Sequence, residues 1–233
     1  RSGFQDVRGL IMLMRRLSAA IFVVSVFFVG TLSSSVWAHD NAKTAETFIV
    51  KFADEAISQL TDSSLEVDEQ ERRFKDIVHE YIDFKSIARW VLGGRHWRAA
   101  SEEQREKYLS LFEELMAATY AHRFQNYAGE KLVVKGTRVI DEKQSLVKTT
   151  LMRPNSEKPL RIDWRVRETK GIYRVIDIMV EGLSMAQSQR SEFSSLLRFN
   201  GGDLDGLMSE LEMRLSNARA ERSKTATANA HKS

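Results

Sequence analysis

The chain has 233 residues, 42% of them hydrophobic and 29% charged, with a formal net charge of +3 and no cysteine. This composition is typical of a soluble globular protein with enough apolar side chains for a sizeable core. The lack of cysteine excludes disulfide bonds, thiol catalysis and cysteine-ligated metal sites, so the core alone must stabilise the fold.

The first 38 residues have the pattern of a cleavable secretory signal peptide. Arg15 and Arg16 precede the mostly apolar run 17–30, which is short for a membrane-spanning helix. The tripeptide 36–38 (VWA) then offers small residues at the positions that signal peptidase reads. The pattern predicts cleavage after this tripeptide, a mature N-terminus at His39 and export of the mature chain.

The signal peptide also explains the basic character of the chain. Residues ahead of Met12 or Met14 are interpreted as an upstream extension. Residues 1–38 hold four arginines against one aspartate, so the chain from His39 onward keeps 31 basic and 31 acidic residues and has no formal net charge. A neutral mature chain offers no global basic field for nucleic acid.

The first half of the mature chain has helical periodicity. Asp83 is a suitable N-cap, the glycines 93–94 form a stop, and Ser101 with Gln104 forms a capping box. The last of these helices is expected to be the longest. The predicted helices span residues 45–60, 67–81, 84–92 and 102–127.

After Gly129 the apolar period changes to about 2, which indicates strands. Residues 160–167 alternate apolar with charged side chains, as expected of an antiparallel sheet with one wet face. The charged set, which includes Asp163, is assigned to that outward face. Four strands in a meander are predicted, over residues 131–141, 144–152, 160–167 and 172–181.

Helical periodicity returns after Gly182. Helices are predicted over 184–198 and from Asp203 onward. The tail 220–233 is rich in Ala, Thr, Lys and Ser and is predicted to be disordered. The expected organisation is therefore an α+β fold with a single domain over residues 39–219.

Residues that could carry chemistry are few. The five histidines show no pair at i, i+3 or i, i+4 spacing, so a helix-face metal site is not expected. Asp163 and Asp177 on neighbouring strands are the basis of an enzymatic alternative. We expect no catalysis, because Asp163 is assigned to the outward face and the sequence has no nucleophile elbow, P-loop or dinucleotide fingerprint.

Four stretches resemble the MlaC family, the auxiliary component once called toluene-tolerance protein. They are DFKSIARWVLGGRHWRAASEEQ at 83–104, YLSLFEELMAATYAHRFQNYAGE at 108–130, IDWRVR with IYRVIDIMVEGLS between 162 and 184, and QRSEF with NGGDLDGLMSEL between 189 and 211. The resemblance covers most of the mature chain. The QRSEF wording is closer to the hopanoid-associated HpnM branch.

The resemblance implies an α+β fold in which a four-stranded antiparallel sheet and several helices surround a deep apolar lipid pocket. It implies a monomeric periplasmic shuttle that carries phospholipid as cargo, without catalysis or another cofactor. The implied partners are an outer-membrane lipoprotein complex and an inner-membrane ABC transporter with an MCE-domain subunit. Two alternatives stay open: a hopanoid-associated lipid carrier of the same fold, and a small-molecule enzyme on a cone-shaped α+β fold.

Large apolar side chains at helix and strand spacing are the candidate pocket lining. Periodicity alone leaves open whether they fill a core or line a cavity, because an amphipathic element has the same pattern against protein or an acyl chain. Arg89, Arg95, Arg98 and Arg190 are candidates for head-group contact or docking. The candidate lipid-binding residues are Phe84, Trp90, Val91, Trp97, Tyr108, Phe112, Leu115, Tyr120, Phe124, Ile162, Trp164, Val166, Ile176, Ile178, Phe193 and Leu197.

Overall fold

The structure, a computed structural model, describes residues 34–62, 64–154 and 158–230, without the side chains of 34–41, 125–126 and 222–230. The chain divides into two compact units, Arg1–Asp40 and Asn41–Ser233; of the first, only the helical residues 34–40 are described. The apolar run of the predicted signal peptide lies outside the described residues, so its cleavage stays a prediction. Within the described ranges, no helix is long and apolar enough to cross a membrane.

Seven α-helices and one 3-10 helix form the helical part of the described chain. Helices begin directly after Asp83 and Ser101, which confirms both predicted starts. A short additional helix, α4, occupies the bend that follows Gly93. The helices are α1 (Ser34–Leu60), α2 (Val67–Tyr81), α3 (Phe84–Leu92), α4 (Gly94–Ala99), α5 (Glu102–Tyr120), the 3-10 helix (Ala121–Asn126), α6 (Met185–Phe199) and α7 (Leu204–Ala230).

Side-chain caps fix the corner between α3 and α5. The Asp83 carboxylate accepts a hydrogen bond from the Ser86 backbone N–H at 3.2 Å. Ser101 and Gln104 form the predicted capping box, with both reciprocal bonds at 3.1 Å. Gly93 has φ +88°, a conformation that strongly favours glycine, and this residue ends α3. The corner is thus determined by local sequence.

Two predicted helix lengths differ from the structure. The α-helix predicted over 102–127 ends at Tyr120 and continues as the 3-10 helix; α5 has 19 residues against 27 in α1 and in α7, so it is not the longest. Helix α7 extends to Ala230, into the predicted disordered tail. Richness in Ala, Thr, Lys and Ser indicated disorder there, whereas the alanines of this segment favour helix.

The sheet is antiparallel, with strands in chain order. It has five strands rather than the predicted four, because the two-residue strand β5 adds to the edge of β4. A two-residue strand is too short to have a visible period. The strands are β1 (Lys131–Val139), β2 (Gln144–Met152), β3 (Leu160–Thr169), β4 (Ile172–Val180) and β5 (Leu183–Ser184).

Apolar residues form two separate clusters in the unit 41–233. The sheet cluster joins α1 and α2 to one face of the sheet, which we call the inner face, through residues such as Ile49, Ile77 and Val166. The helical cluster contains residues from each of the helices α3, α4, α5, α6 and α7, among them Tyr108 and Phe193. Helices α3 and α6 also contact β4, and they cover one end of the opposite, outer face. The sheet is therefore flanked by helices on both faces.

Candidate functional site

The inner face of the sheet is apolar and only partly covered. Its floor is formed by Val147, Val166 and Val175, which are buried against α1 and α2. Toward the far end of β3 and β4, Trp164 and Ile178 are only half-buried. Further half-buried apolar side chains of the same face are Leu132, Val134, Leu151, Leu160, Ile162 and Val180.

Aromatic rings from α1 and α2 border this face. Phe52 stacks on Tyr81 with ring centroids 5.0 Å apart and meets Trp164 edge-on at 5.4 Å. Phe48 lies 5.6 Å from Tyr81 and 6.1 Å from Tyr173. The Phe52 pairs have the stacked and edge-on geometries that aromatic rings prefer, whereas the Phe48 pairs are tilted. Together the rings form an aromatic wall beside the half-buried strip.

The polar groups of Trp164, Thr149 and Tyr81 on this face are paired within the protein, whereas the buried Thr137 hydroxyl, opposite Val147, has no hydrogen-bond partner among the described residues. The Trp164 indole N–H donates to the Thr149 hydroxyl at 3.0 Å, and that hydroxyl donates to the Ile162 carbonyl at 2.6 Å. The Tyr81 hydroxyl donates to the Glu55 carboxylate. Burial, and then the Glu55 carboxylate, raise the pKa of Tyr81, so its hydroxyl stays neutral. Apart from the Thr137 hydroxyl, the face therefore presents mainly hydrocarbon to whatever covers it.

The helical cluster has the opposite character. Phe112 stacks on Tyr108 at 5.9 Å and meets Phe193 edge-on at 5.4 Å, and all three rings are buried. The Tyr108 hydroxyl donates to the Ala88 carbonyl at 2.9 Å. Burial raises the pKa of Tyr108, which keeps this donor protonated. This cluster is a closed core.

The structure separates the predicted lipid-binding residues into several groups. Phe124, Trp164, Val166 and Ile178 belong to the sheet cluster, and Ile162 shares their face of β3. Tyr120 belongs to neither cluster and has Arg123 over its ring at 5.2 Å. Eight others fill or border the closed helical cluster: Phe84, Val91, Trp97, Tyr108, Phe112, Leu115, Phe193 and Leu197.

A bulge in β4 separates Ile176 from Ile178. Arg165 pairs with Asp177 and Val166 with Val175, so Ile176 is an extra residue that interrupts the alternation. Ile178 lies on the inner face, whereas Ile176 lines a cavity on the outer face. Both isoleucines were predicted to bind lipid, and regular alternation would place them on one face, but the bulge separates them.

The outer-face cavity has a volume of about 230 Å³. Its walls come from α3, β2, β3, β4 and α6, and they include Trp90 as well as Ile176. These two predicted lipid-binding residues therefore lie across the sheet from Trp164 and Ile178. The complete lining is Ser86, Ile87, Trp90, Gln144, Arg165, Arg167, Ile176, Asp177 and Ala186.

The four candidate arginines differ in their surroundings. Arg89, Arg95 and Arg98 are exposed on α3 and α4 and form no ion pair within the described part of the chain. The Arg190 guanidinium stacks over the Trp90 ring at 4.7 Å and donates to the Trp90 carbonyl. Arg190 thus joins α6 to α3, while the other three can meet a partner.

The two carboxylates considered for catalysis have separate neighbours and partners. Asp163 lies opposite Met179, and the Asp177 oxygens accept hydrogen bonds from the Ser184 hydroxyl at 2.6 Å and the Ala186 N–H at 3.2 Å. Asp177 therefore caps α6 and carries a structural role.

The assignment of Asp163 to a wet outward face was wrong, because this residue is only 6% exposed. It does lie on the outer face. However, it stands between Lys148 and Met179 in register, and the Arg161 guanidinium lies 3.5 Å from one of its oxygens. Long neighbouring side chains on a sheet can cover a short one, which alternation does not reveal.

Several residues of the candidate site were missed by the sequence analysis. Phe48, Phe52 and Tyr81 lie at helical spacing on α1 and α2, within the predicted helices, and were not among the candidate lipid-binding residues. Thr149 and Tyr173 complete the aromatic and polar border of the strip. The four-residue spacing of Phe48 and Phe52 was the available signal, but it does not tell core from cavity.

A metal site is not apparent among the described residues, in which no group of three or more histidine or acidic side chains could hold an ion.

Comparison with known proteins gives consistent relatives. Residues 50–213 match the model of the MlaC protein family. The chain is 22% identical over 216 residues to the intermembrane phospholipid transport system binding protein MlaC of Haemophilus influenzae, a match covering 89% of this chain and 96% of that protein. It is 20% identical over 129 residues to the toluene tolerance protein Ttg2D of Pseudomonas putida, covering 55% and 60%.

A solved structure shares the fold. The phospholipid-binding protein from Ralstonia solanacearum, solved in complex with a phospholipid, has a TM-score of 0.68 and 22% identity. The match covers 75% of this chain and 98% of that chain. With the family model spanning most of the chain, these findings show that the protein belongs to the MlaC family.

Proposed function

We propose that this protein is a periplasmic phospholipid carrier whose acyl-chain site is the half-buried strip of the inner face. The observation that supports it best is the strip itself: Trp164 and Ile178 lie beside an aromatic wall and remain partly uncovered by protein. An apolar surface whose polar groups are mostly paired offers few hydrogen-bond partners to a polar ligand. An acyl chain would complete its burial.

The energetics suit a carrier. Each methylene removed from water contributes about 0.8 kcal/mol, so one long acyl chain contributes on the order of 10 kcal/mol before ordering costs. Release into water would be slow at such affinity. The cargo therefore leaves by direct transfer to another apolar surface, which requires a docked partner.

The proposed partners are an outer-membrane lipoprotein complex and an inner-membrane ABC transporter with an MCE-domain subunit. The Haemophilus influenzae relative is named as the binding protein of an intermembrane phospholipid transport system, and the Pseudomonas putida relative as a toluene tolerance protein. Arg89, Arg95 and Arg98 are the proposed contacts, because they are exposed and carry no ion pair within the described chain. Such charges change association rates and salt dependence more than final affinity.

Native mass spectrometry of the exported protein tests the proposal. We expect a co-purified lipid, with glycerophospholipid as cargo; a hopanoid in the same spectrum would instead favour the hopanoid-associated alternative. Absence of co-purified lipid, together with no uptake from phospholipid vesicles, would overturn the carrier proposal.

A matched pair of variants in β4 locates the site. Ile178→Asp places a carboxylate in the half-buried strip, so we expect a folded protein that loses its lipid. Ile172→Asp, at the exposed start of the same strand, should keep its lipid. Circular dichroism establishes folding of both, and native mass spectrometry measures their lipid content. Equal lipid content in the two variants would show that the acyl chains lie elsewhere.

A further inference from the structure

The cavity on the outer face contains an unusual combination of groups. Two guanidinium groups, those of Arg165 and Arg167, line a space of about 230 Å³ whose other walls are apolar or neutral apart from the Asp177 carboxylate. The cavity lies across the sheet from the proposed acyl-chain strip. It is therefore separate from the lipid site, and nothing in the carrier proposal uses it.

The two arginines have different partners. Arg167 forms an ion pair with Asp83 and lies 3.3 Å from the Ser86 hydroxyl. Arg165 donates only to the neutral Gln144 amide oxygen, at 2.9 Å, and forms no ion pair with any described residue. Asp177 stands opposite Arg165 in register, but its oxygens already accept from Ser184 and Ala186.

Arg165 therefore keeps unused donors beside the cavity. A guanidinium has five N–H donors in a planar fork and binds a carboxylate through two parallel bonds. The half-buried position of Arg165 reduces solvent screening, which strengthens such a pair relative to one at the surface. A carboxylate is the group that would best complete this environment.

The remaining walls select for an apolar attachment. Ile87, Trp90, Ile176 and Ala186 supply hydrocarbon and an indole ring, and Trp90 is 44% exposed. At about 30 Å³ for each water molecule, the cavity holds the volume of roughly eight waters. That volume fits a branched acid of about eight heavy atoms or a single side chain with its terminal carboxylate.

We propose that this cavity is a second binding site, which takes a carboxylate attached to a small apolar group. The carboxylate binds the Arg165 guanidinium, and the apolar part packs against Trp90 and Ile176. The ligand is either a free short-chain acid or the C-terminal residue of a partner chain, because both present the same chemistry.

Titrations with two pairs of probes test this site. The free acid is 4-methylpentanoate, compared with 4-methylpentanamide; the chain terminus is an acetylated tetrapeptide Ala-Ala-Ala-Leu, compared with its C-terminal amide. The readout is the indole N–H signal of Trp90 in proton–nitrogen NMR spectra, assigned with Trp90→Phe. We expect saturable shifts with a carboxylate probe and at least about tenfold weaker binding of its amide. The tighter of the two carboxylates identifies the source.

Variants on β3 assign the binding group. Arg165→Gln should weaken carboxylate binding at least about tenfold, whereas Arg161→Gln, on the same face but outside the cavity, should leave it unchanged. Arg165→Lys keeps the charge without the fork and should bind with intermediate affinity, which provides a test if the glutamine variant fails to fold.

Equal binding of carboxylate and amide, unchanged binding in Arg165→Gln or Arg165→Lys, or no saturable shift with either carboxylate would overturn the proposal. Lipid content is measured by native mass spectrometry on the same samples. A carboxylate site that fails while the lipid remains bound leaves the carrier function intact, and loss of lipid with the carboxylate site retained refutes only the carrier function.

Discussion

The sheet cluster and the helical cluster have similar compositions but different degrees of closure. In the helical cluster, Tyr108, Phe112 and Phe193 contact one another and are all buried. In the sheet cluster, burial decreases along β3, from Val166 at 1% exposure to the half-buried Trp164 and Ile162. The first cluster is completed by the protein itself, whereas the second ends in a partly uncovered apolar strip.

The contrast shows how stability and binding are divided in this fold. Side chains that contact only protein contribute their full burial to folding, and their removal leaves a cavity. Side chains at the edge of the strip contribute less to folding because part of their surface remains exposed. Variants in the two clusters should therefore affect stability and lipid content in opposite proportions.

The largest effect is expected for Val166→Arg, at the floor of the sheet cluster. A buried unpaired guanidinium costs roughly 3–5 kcal/mol, and the added volume strains the packing between α1 and the sheet. We expect unfolded or poorly expressed protein, measured by circular dichroism and urea denaturation. Ile162→Arg, four residues away on the same face, should stay folded and lose its lipid. Similar stability of the two variants would contradict the decrease in burial along β3.

The next effect is expected in the helical cluster. Phe193→Ala should lower the free energy of unfolding by about 3–5 kcal/mol, because this ring is 0% exposed and packs on Tyr108 and Phe112. The control is Phe199→Ala on the same helix, where the ring is 89% exposed and the change should be small. The folded fraction of Phe193→Ala should keep its lipid. Loss of lipid without loss of stability would place the acyl chains in the helical cluster.

Most elements were predictable because their periods are long and regular. The helix starts at Phe84 and Glu102 follow from caps that the sequence contains, and strand β3 follows from strict alternation. Strand β5 and the break after Tyr120 were not predictable, because a two-residue strand and a change from α to 3-10 geometry leave no period to read.

The site was less predictable than the fold. Phe193 and Trp164 both have the pattern of a buried aromatic residue, and only the packing of other elements decides that one is enclosed and the other half-buried. The bulge at Ile176 places this side chain and Ile178 on opposite faces of the sheet, which regular alternation excludes for residues two apart. Cluster membership depends on contacts between distant segments, and a single sequence does not contain those distances.

A smaller effect is expected for Tyr108→Phe, which removes one hydrogen bond from the helical cluster and keeps the ring. The lost bond to the Ala88 carbonyl should cost about 0.5–1.5 kcal/mol, without a change in lipid content. Tyr120→Phe is the control, because its hydroxyl donates no hydrogen bond to a described residue. The comparison uses urea denaturation of both variants. A cost for Tyr120→Phe equal to that for Tyr108→Phe would show that the buried bond has no special contribution.

The smallest effect is expected for the pH-dependent contribution of Glu114 to stability. Glu114 on α5 binds Lys75 on α2 at 2.9 Å and also pairs with Arg219 on α7. The hydrogen bond from Lys75 lowers the pKa of Glu114 below its ordinary value of 4.5. The resulting stabilisation is present above that value and is lost as pH falls through the lowered folded-state pKa.

Glu114→Gln should therefore reduce stability at neutral pH by less than about 1 kcal/mol, because the pairs are partly screened by solvent. The difference from the wild-type protein should disappear at pH values below the folded-state pKa, where Glu114 is protonated. Urea denaturation from neutral pH to about pH 3 measures it, with the exposed Glu106→Gln on the same helix as control. A stability difference that is independent of pH would show that Glu114 acts through packing rather than through its charge.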